Sequence, residues 1–152
     1  MTVIKKTELK NTGNDVPVMG GVDYRGLADF RYAIRKFLAF SEAAAIEAGL
    51  TAQQHQALLT IKGIGSEQGL SVGDLATRLL VKHHSAAELA KRLEEAGLVL
   101  RSQDPHDGRR VLLTLTDESE KKLESLSGIH VSEIGSMAPE LAAILGALSV
   151  RS

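Results

Sequence analysis

The sequence predicts a mainly α fold of the α+β class, with amphipathic helices at both ends of the chain and a body of short helices with one β-hairpin between them. Three observations carry this. Apolar residues recur at helical spacing from Leu27 to Ala45 and again from Leu141 to Leu148. Between Ser71 and Thr116, two short helical patterns are followed at once by two strand-like runs, 98–101 and 111–115. Asp107-Gly108 lies between those runs and is a strong hairpin turn signal.

Residues 1–22 read as an arm, because Asn11-Thr12-Gly13-Asn14-Asp15, Pro17 and Gly20-Gly21 break any periodicity. A long helix follows, with Leu27, Phe30, Ile34, Phe37, Leu38, Ser41 and Ala45 on one stripe and Gly49 suited to a left-handed stop. Thr51-Ala52-Gln53-Gln54 fits a capping box, in which hydroxyl and amide each satisfy the other residue's backbone N–H. It opens a second helix through Ala57, Leu58 and Ile61, ended by the glycine-bearing break Gly63-Ile64-Gly65. Ser71 caps a third, with Leu75, Ala76, Leu79 and Leu80 as its buried side. The fourth keeps Ala86, Leu89, Ala90, Leu93 and Gly97 inward, leaving His83, Ala87, Glu88, Lys91 and Arg92 nearer the outside. After the two strands, Thr116 caps a fifth helix whose Asp117, Glu118 and Glu120 suit its positive end. Pro139 stands where a sixth would begin, with Leu141, Ile144, Leu145 and Leu148 as its stripe. These terminal stripes want a partner surface, and a second copy of the chain is the simplest one.

Composition bounds the function. The 152 residues carry 43% hydrophobic and 24% charged side chains, as an ordinary globular protein does. Lys and Arg number 18 against 19 Asp and Glu, a formal charge of −1, so any pull on nucleic acid must come from local placement of charge. There are no cysteines, which excludes disulfides, thiolate metal sites and thiol-based redox sensing. The five histidines include no His-x-x-x-His pair, and adjacent His83 and His84 diverge by about 100° on a helix, so no metal site is expected. His130 lies on the stripe of Leu123, Leu126 and Ile134, as a packed or interface histidine would. No nucleophile elbow, P-loop or Gly-x-Gly-x-x-Gly occurs, so neither an enzyme nor a cofactor is expected. No uninterrupted apolar run approaches the roughly 18 residues of a membrane span, and the first residues do not resemble a signal peptide, so the cytoplasm is the expected location.

The order helix, turn, helix, basic-tipped hairpin presents a protruding helix beside a wing, a shape that fits a DNA duplex. The chain resembles the MarR (multiple antibiotic resistance regulator) family over about residues 24–148. The resemblance rests on Leu89-Ala90-Lys91-Arg92-Leu93-Glu94-Glu95-Ala96-Gly97-Leu98-Val99, on Asp104-Pro105-His106-Asp107-Gly108-Arg109-Arg110-Val111, and on Leu115-Thr116. Phe30-Arg31-Tyr32-Ala33-Ile34-Arg35-Lys36-Phe37-Leu38 and Gln53-Gln54-His55 add to it. It implies a homodimer with interlocked terminal helices and two winged helix-turn-helix lobes on double-stranded DNA. A near-palindromic operator, repression, and release by a small aromatic acid are the implied mode of action. In that frame, 23–49 and 117–152 are dimerisation helices, 51–116 is the winged helix-turn-helix, and 23–152 together form the family's domain.

The resemblance makes 82–96 the recognition helix and Arg109, in Asp107-Gly108-Arg109, the wing arginine of the minor groove. The expected DNA-binding residues are Lys82, His83, His84, Ser85, Lys91, Arg92, Arg109 and Arg110. Base edges fall to the exposed start of the helix. An arginine in a narrow minor groove reads shape and potential instead. Asp107 is expected to brace the turn or a basic side chain, and Glu88 to pair with Lys91 or Arg92. The chain departs from the family where Lys82 and His83 replace a common Ser and Arg, and where Glu88 replaces a common base. Between 82 and 110, six basic residues face five acidic ones, a net of +1. That modest charge supports an alternative, a dimeric winged-helix module for protein interaction with little DNA affinity. The implied effector pocket would draw on Tyr32, Arg35 and His55, since a cation beside a ring suits an aromatic carboxylate. The competing reading makes Tyr32 and His55 helix–helix contacts and Arg35 a solvated or interface charge.

Overall fold

The computed structural model describes residues 21–149, so the expected arm at 1–22 lies almost wholly outside the described residues. The elements run α1 (Tyr24–Glu47), α2 (Ala52–Ile64), β1 (Leu70–Ser71), α3 (Val72–Leu79), α4 (His83–Glu95), β2 (Val99–Gln103), β3 (Val111–Leu115) and α5 (Asp117–Ser149). Local chemistry sets most boundaries. The capping box forms, with Thr51 Oγ1 accepting from Gln54 N at 3.0 Å and Gln54 Oε1 from Thr51 N at 2.9 Å. Ser71 Oγ accepts from Asp74 N at the start of α3. Gly49, just past the end of α1, has φ +79°, the left-handed turn that L side chains avoid.

The hairpin expected from Asp107-Gly108 is present, and it is part of a three-stranded antiparallel sheet ordered β1-β3-β2. The third strand, β1, is only two residues long and carries no periodic signal. It forms because Gly69, at φ +112°, lets the chain turn against β3, where a Cβ would collide with the Leu113 carbonyl. Leu113 stands at the centre, opposite Leu70 on one side and Arg101 on the other. It is fully buried with Leu58, Leu75, Leu93 and Leu126, in a core that joins α2, α3, α4, the sheet and the first half of α5.

Ser119 ties α5 to that core. Its buried hydroxyl donates to Leu98 O at 2.6 Å and accepts from Thr116 N at 3.1 Å. Ser119→Ala would remove both of these bonds and leave the joint only the direct bond from Thr116 N to Leu98 O at 3.2 Å, with an expected loss of about 1–3 kcal/mol in urea unfolding.

Three expectations are corrected. The helix expected to begin at Pro139 does not begin there: α5 runs unbroken to Ser149 with Pro139 inside it. A proline inside a helix removes one backbone bond and crowds the preceding turn. Here α1 runs alongside α5, and Lys36 of α1 reaches Glu140, the residue after the proline, at 3.5 Å. Leu80, assigned to the buried side of α3, is 92% exposed. It is the left-handed C-cap of that helix, at φ 56°, where the chain turns toward α4 and the side chain leaves the apolar stripe. Finally, although no uninterrupted apolar run occurs, α5 is long and apolar enough to cross a membrane by length and composition, because Gly, Ser and Ala dilute its apolar residues without adding charge.

Ala86, Leu89, Ala90 and Leu93 of α4 are buried as expected, whereas Gly97, also expected inward, is exposed past the helix end at φ +72°; the stripe of α1 is covered only in part. Leu27, Ile34 and Leu38 remain 40–50% exposed, as do Ile134 and Leu145 of α5.

Candidate nucleic-acid interface

The interface is built where the start of α4, the start of α3 and the hairpin converge. α4 begins at Lys82, which takes the N-cap position without a side-chain hydrogen bond to the helix. The free N–H groups of this first turn are therefore open to an anion, and the helix dipole favours one there. His83 follows, and a cleft of about 200 Å³ opens beside it, lined by Ser71, Val72, Gly73, Ala87, Val111 and the three arginines Arg101, Arg109 and Arg110.

The wing is held by its own acids. Asp107 Oδ1 accepts from Arg109 N at 3.1 Å and Asp104 Oδ1 from His106 N at 2.9 Å, while Asp104 N and Arg110 O close the base of the loop at 3.0 Å. The Asp107 carboxylate thus braces the turn, as expected. The arginines divide by role. Arg110 reaches Asp74 of α3 at 3.5 Å and Asp104 at 3.9 Å, so it fastens the wing to the helix-turn-helix body. Arg109 is exposed and has no ion pair among the described residues.

Ion pairing takes up some of the bases and acids of this nearly balanced stretch and leaves others free. Of its five acids, Glu94 pairs with Arg101 at 3.8 Å, Asp104 with Arg110, and Asp107 is spent on the turn. Lys82, Lys91, Arg92 and Arg109 have no such partner among the described residues. Neither does Glu88, which corrects the expected pair with Lys91 or Arg92.

Among the residues expected to meet DNA, the structure brings His83, Arg109 and Arg110 to one cleft. At about 100° per residue, His84 and Lys91 lie on the outward face of α4, while Ser85 and Arg92 fall on the flank away from His83. Arg101 belongs to the cleft and was not among the expected residues. The sequence does show it as a base close to the wing, but only the β2–β3 register and the approach of α4 bring it beside His83.

The residues expected for an effector do not form one cluster. Tyr32 is 61% exposed under Lys36, whose Nζ lies 4.7 Å from the ring centre. Arg35 is exposed on the same helix. His55 is 3% exposed and packs against His130 instead, with the ring centres 4.8 Å apart.

Comparison with known proteins agrees with this architecture. The model of the MarR family matches residues 48–110, from the end of α1 to the tip of the wing. The HTH-type transcriptional regulator TtmR of Methylorubrum extorquens (strain PA1) is 33% identical over 119 residues, 75% of this chain and 56% of that protein. The chain spans little more than half the length of the first curated relatives it matches. An F27L mutant of S. aureus MepR, solved bound to an oligodeoxyribonucleotide, shares the fold at TM-score 0.61 and 21% identity, covering 84% of this chain and 99% of that one. CouR from Rhodococcus jostii RHA1, solved bound to p-coumaroyl-CoA, does so at TM-score 0.64 and 20% identity, covering 86% and 94%. Residues 48–110, from the second helix to the wing, thus match the MarR family, and the chain as a whole shares the fold of these solved structures.

Proposed function

We propose that the protein is a sequence-specific DNA-binding transcriptional regulator that acts as a homodimer on a near-palindromic duplex, as a repressor released by a small ligand. The observation that carries this is the cleft between α4 and the wing, where His83, Arg101, Arg109 and Arg110 converge and Arg109 has no acidic partner among the described residues. In this reading α4 enters the major groove with His83, His84 and Ser85 at base edges, Lys82, Lys91 and Arg92 meet phosphates, and Arg109 enters the minor groove. Residues 23–49 and 117–152 dimerise and 51–116 form the lobe. The half-covered stripes of α1 and α5 support that division, because a side chain such as Leu145, once buried, contributes roughly 1.5–3 kcal/mol.

The repressor and effector parts rest on relatives. A repressor from Bacillus subtilis, MdtR, is 36% identical over 78 residues, and CouR was solved with an aromatic acyl-CoA. Tyr32 and Arg35 are the residues of this chain offered to an aromatic acid, with His55 behind them. The cytoplasm follows as the place of action, and no catalysis is assigned.

Light scattering at micromolar concentration, followed by salt-dependent binding to a mixed duplex, tests the proposal. The expected result is a dimer whose log affinity falls linearly with log salt. A monomer would remove the assembly, and a dimer without DNA affinity would favour the protein-interaction module instead.

A further inference from the structure

We propose that His55 and His130 form a proton-operated latch that holds α2, and with it the DNA-binding lobe, against α1 and α5, and that acidification loosens it. Only the consequence for DNA rests on the function proposed above.

The latch joins three helices. His130 of α5 donates from Nδ1 to Leu126 O at 2.7 Å, and its Nε2 meets Ser41 Oγ of α1 at 2.7 Å. Phe37 and Phe40 of α1 pack edge-on against its ring, with centroids at 6.0 and 5.6 Å. His55 of α2 closes the other side at 4.8 Å, and its Nδ1 is buried without a hydrogen-bond partner. A buried polar atom without a partner lowers stability, so packing alone does not explain a histidine here.

The charged groups on the helices around the pair are paired elsewhere or at least partly exposed. Neither ring has an ion pair among the described residues. On α1, Lys36 is drawn to Glu140 and Glu42 is exposed. On α2, Lys62 pairs with Glu120. On α5, Lys122 is held by Glu118 and Ala48 O, and Glu133, one turn beyond His130, lines the cleft with Lys36.

The two rings differ in their partners. Ser41 Oγ can donate to or accept from Nε2 of His130, so that ring is provided for at both nitrogens. A proton on His55 does not fit, because Nδ1 has no acceptor. Burial, and then the charge of His130, hold the His55 imidazole below its ordinary value. The sign follows from linkage. Above about pH 6.5 both packed and parted states carry His55 neutral and the packing is intact. Below that value the parted state takes a proton that the packed state refuses, and packing weakens by up to about tenfold per pH unit. Because α2 is built into the lobe core while α1 and α5 carry the half-covered stripes, loosening would change the spacing of the two α4 helices on DNA.

The test uses the full chain without DNA, so its failure is separable from failure of the DNA-binding reading. Amide exchange is followed at pH 7.5 and 5.5 in wild type and in His55→Phe, which keeps an aromatic ring but cannot titrate. The expected result is a loss of protection in 52–64 of wild type, by roughly tenfold or more at pH 5.5, that is absent from His55→Phe. Equal pH dependence in the two proteins overturns the latch. If the variant does not fold, wild type decides alone: loss centred on 52–64 supports the latch, and unchanged or uniform protection overturns it. The exposed His83, His84 and His106 lie outside this segment and are common to both proteins.

Discussion

Replacing Arg109 by alanine is expected to weaken binding to every duplex by roughly a hundredfold or more, at about 1.5–3 kcal/mol for each of two wings. The magnitude follows from its position. It projects from a turn whose own carboxylate, Asp107, is occupied with the Arg109 backbone N–H. Nothing among the described residues neutralises the guanidinium, so the whole of its charge is available to phosphate or to the minor groove. If it contacts phosphate, the slope of log affinity against log salt should fall by about 0.9 per wing. His83→Ala should behave differently, changing the preference among duplexes more than the overall affinity. Fluorescence anisotropy across a salt series separates the two, and an unchanged affinity for Arg109→Ala would remove the wing from the interface.

Leu113→Ala is expected to destabilise the fold by about 2–5 kcal/mol, the range for emptying a well-packed leucine site. Leu113 is fully buried at the centre of the sheet, between Leu70 and Arg101 in register, and belongs to the core shared with α2, α3 and α4. Few routes exist for that site to collapse, since strands flank it on both sides. Leu100, one residue before Arg101 on β2 and 60% exposed, is the matched control. Leu100→Ala should stay within about 0.5 kcal/mol. Urea unfolding at one fixed protein concentration makes the comparison, because dimerisation would couple stability to concentration. Equal losses at the two positions would contradict the core assignment.

Much of this architecture is determined locally and is therefore readable in order along the chain. The capping box at Thr51, the left-handed glycine at 49, the apolar stripe of α4 and the Asp107-Gly108 hairpin each depend on residues within one or two turns of one another. The wing is readable for the same reason, because Asp107 meets the backbone of Arg109 two residues on. Tertiary structure alone decided the rest. β1 exists because β3 offers it an edge, and α5 runs whole through Pro139 alongside α1, with Lys36 reaching Glu140 just past the proline. Arg101 joins His83 only through strand register, and Arg110 becomes a fastener only because Asp74, 36 residues earlier, faces it. His55 and His130 are separate helical positions in the sequence and one buried pair in the fold. The division is physical. Caps, turns and helical stripes are contacts a few residues long, whereas strand register, ion pairing across elements and the burial of a polar ring depend on surfaces that meet only once the chain has packed.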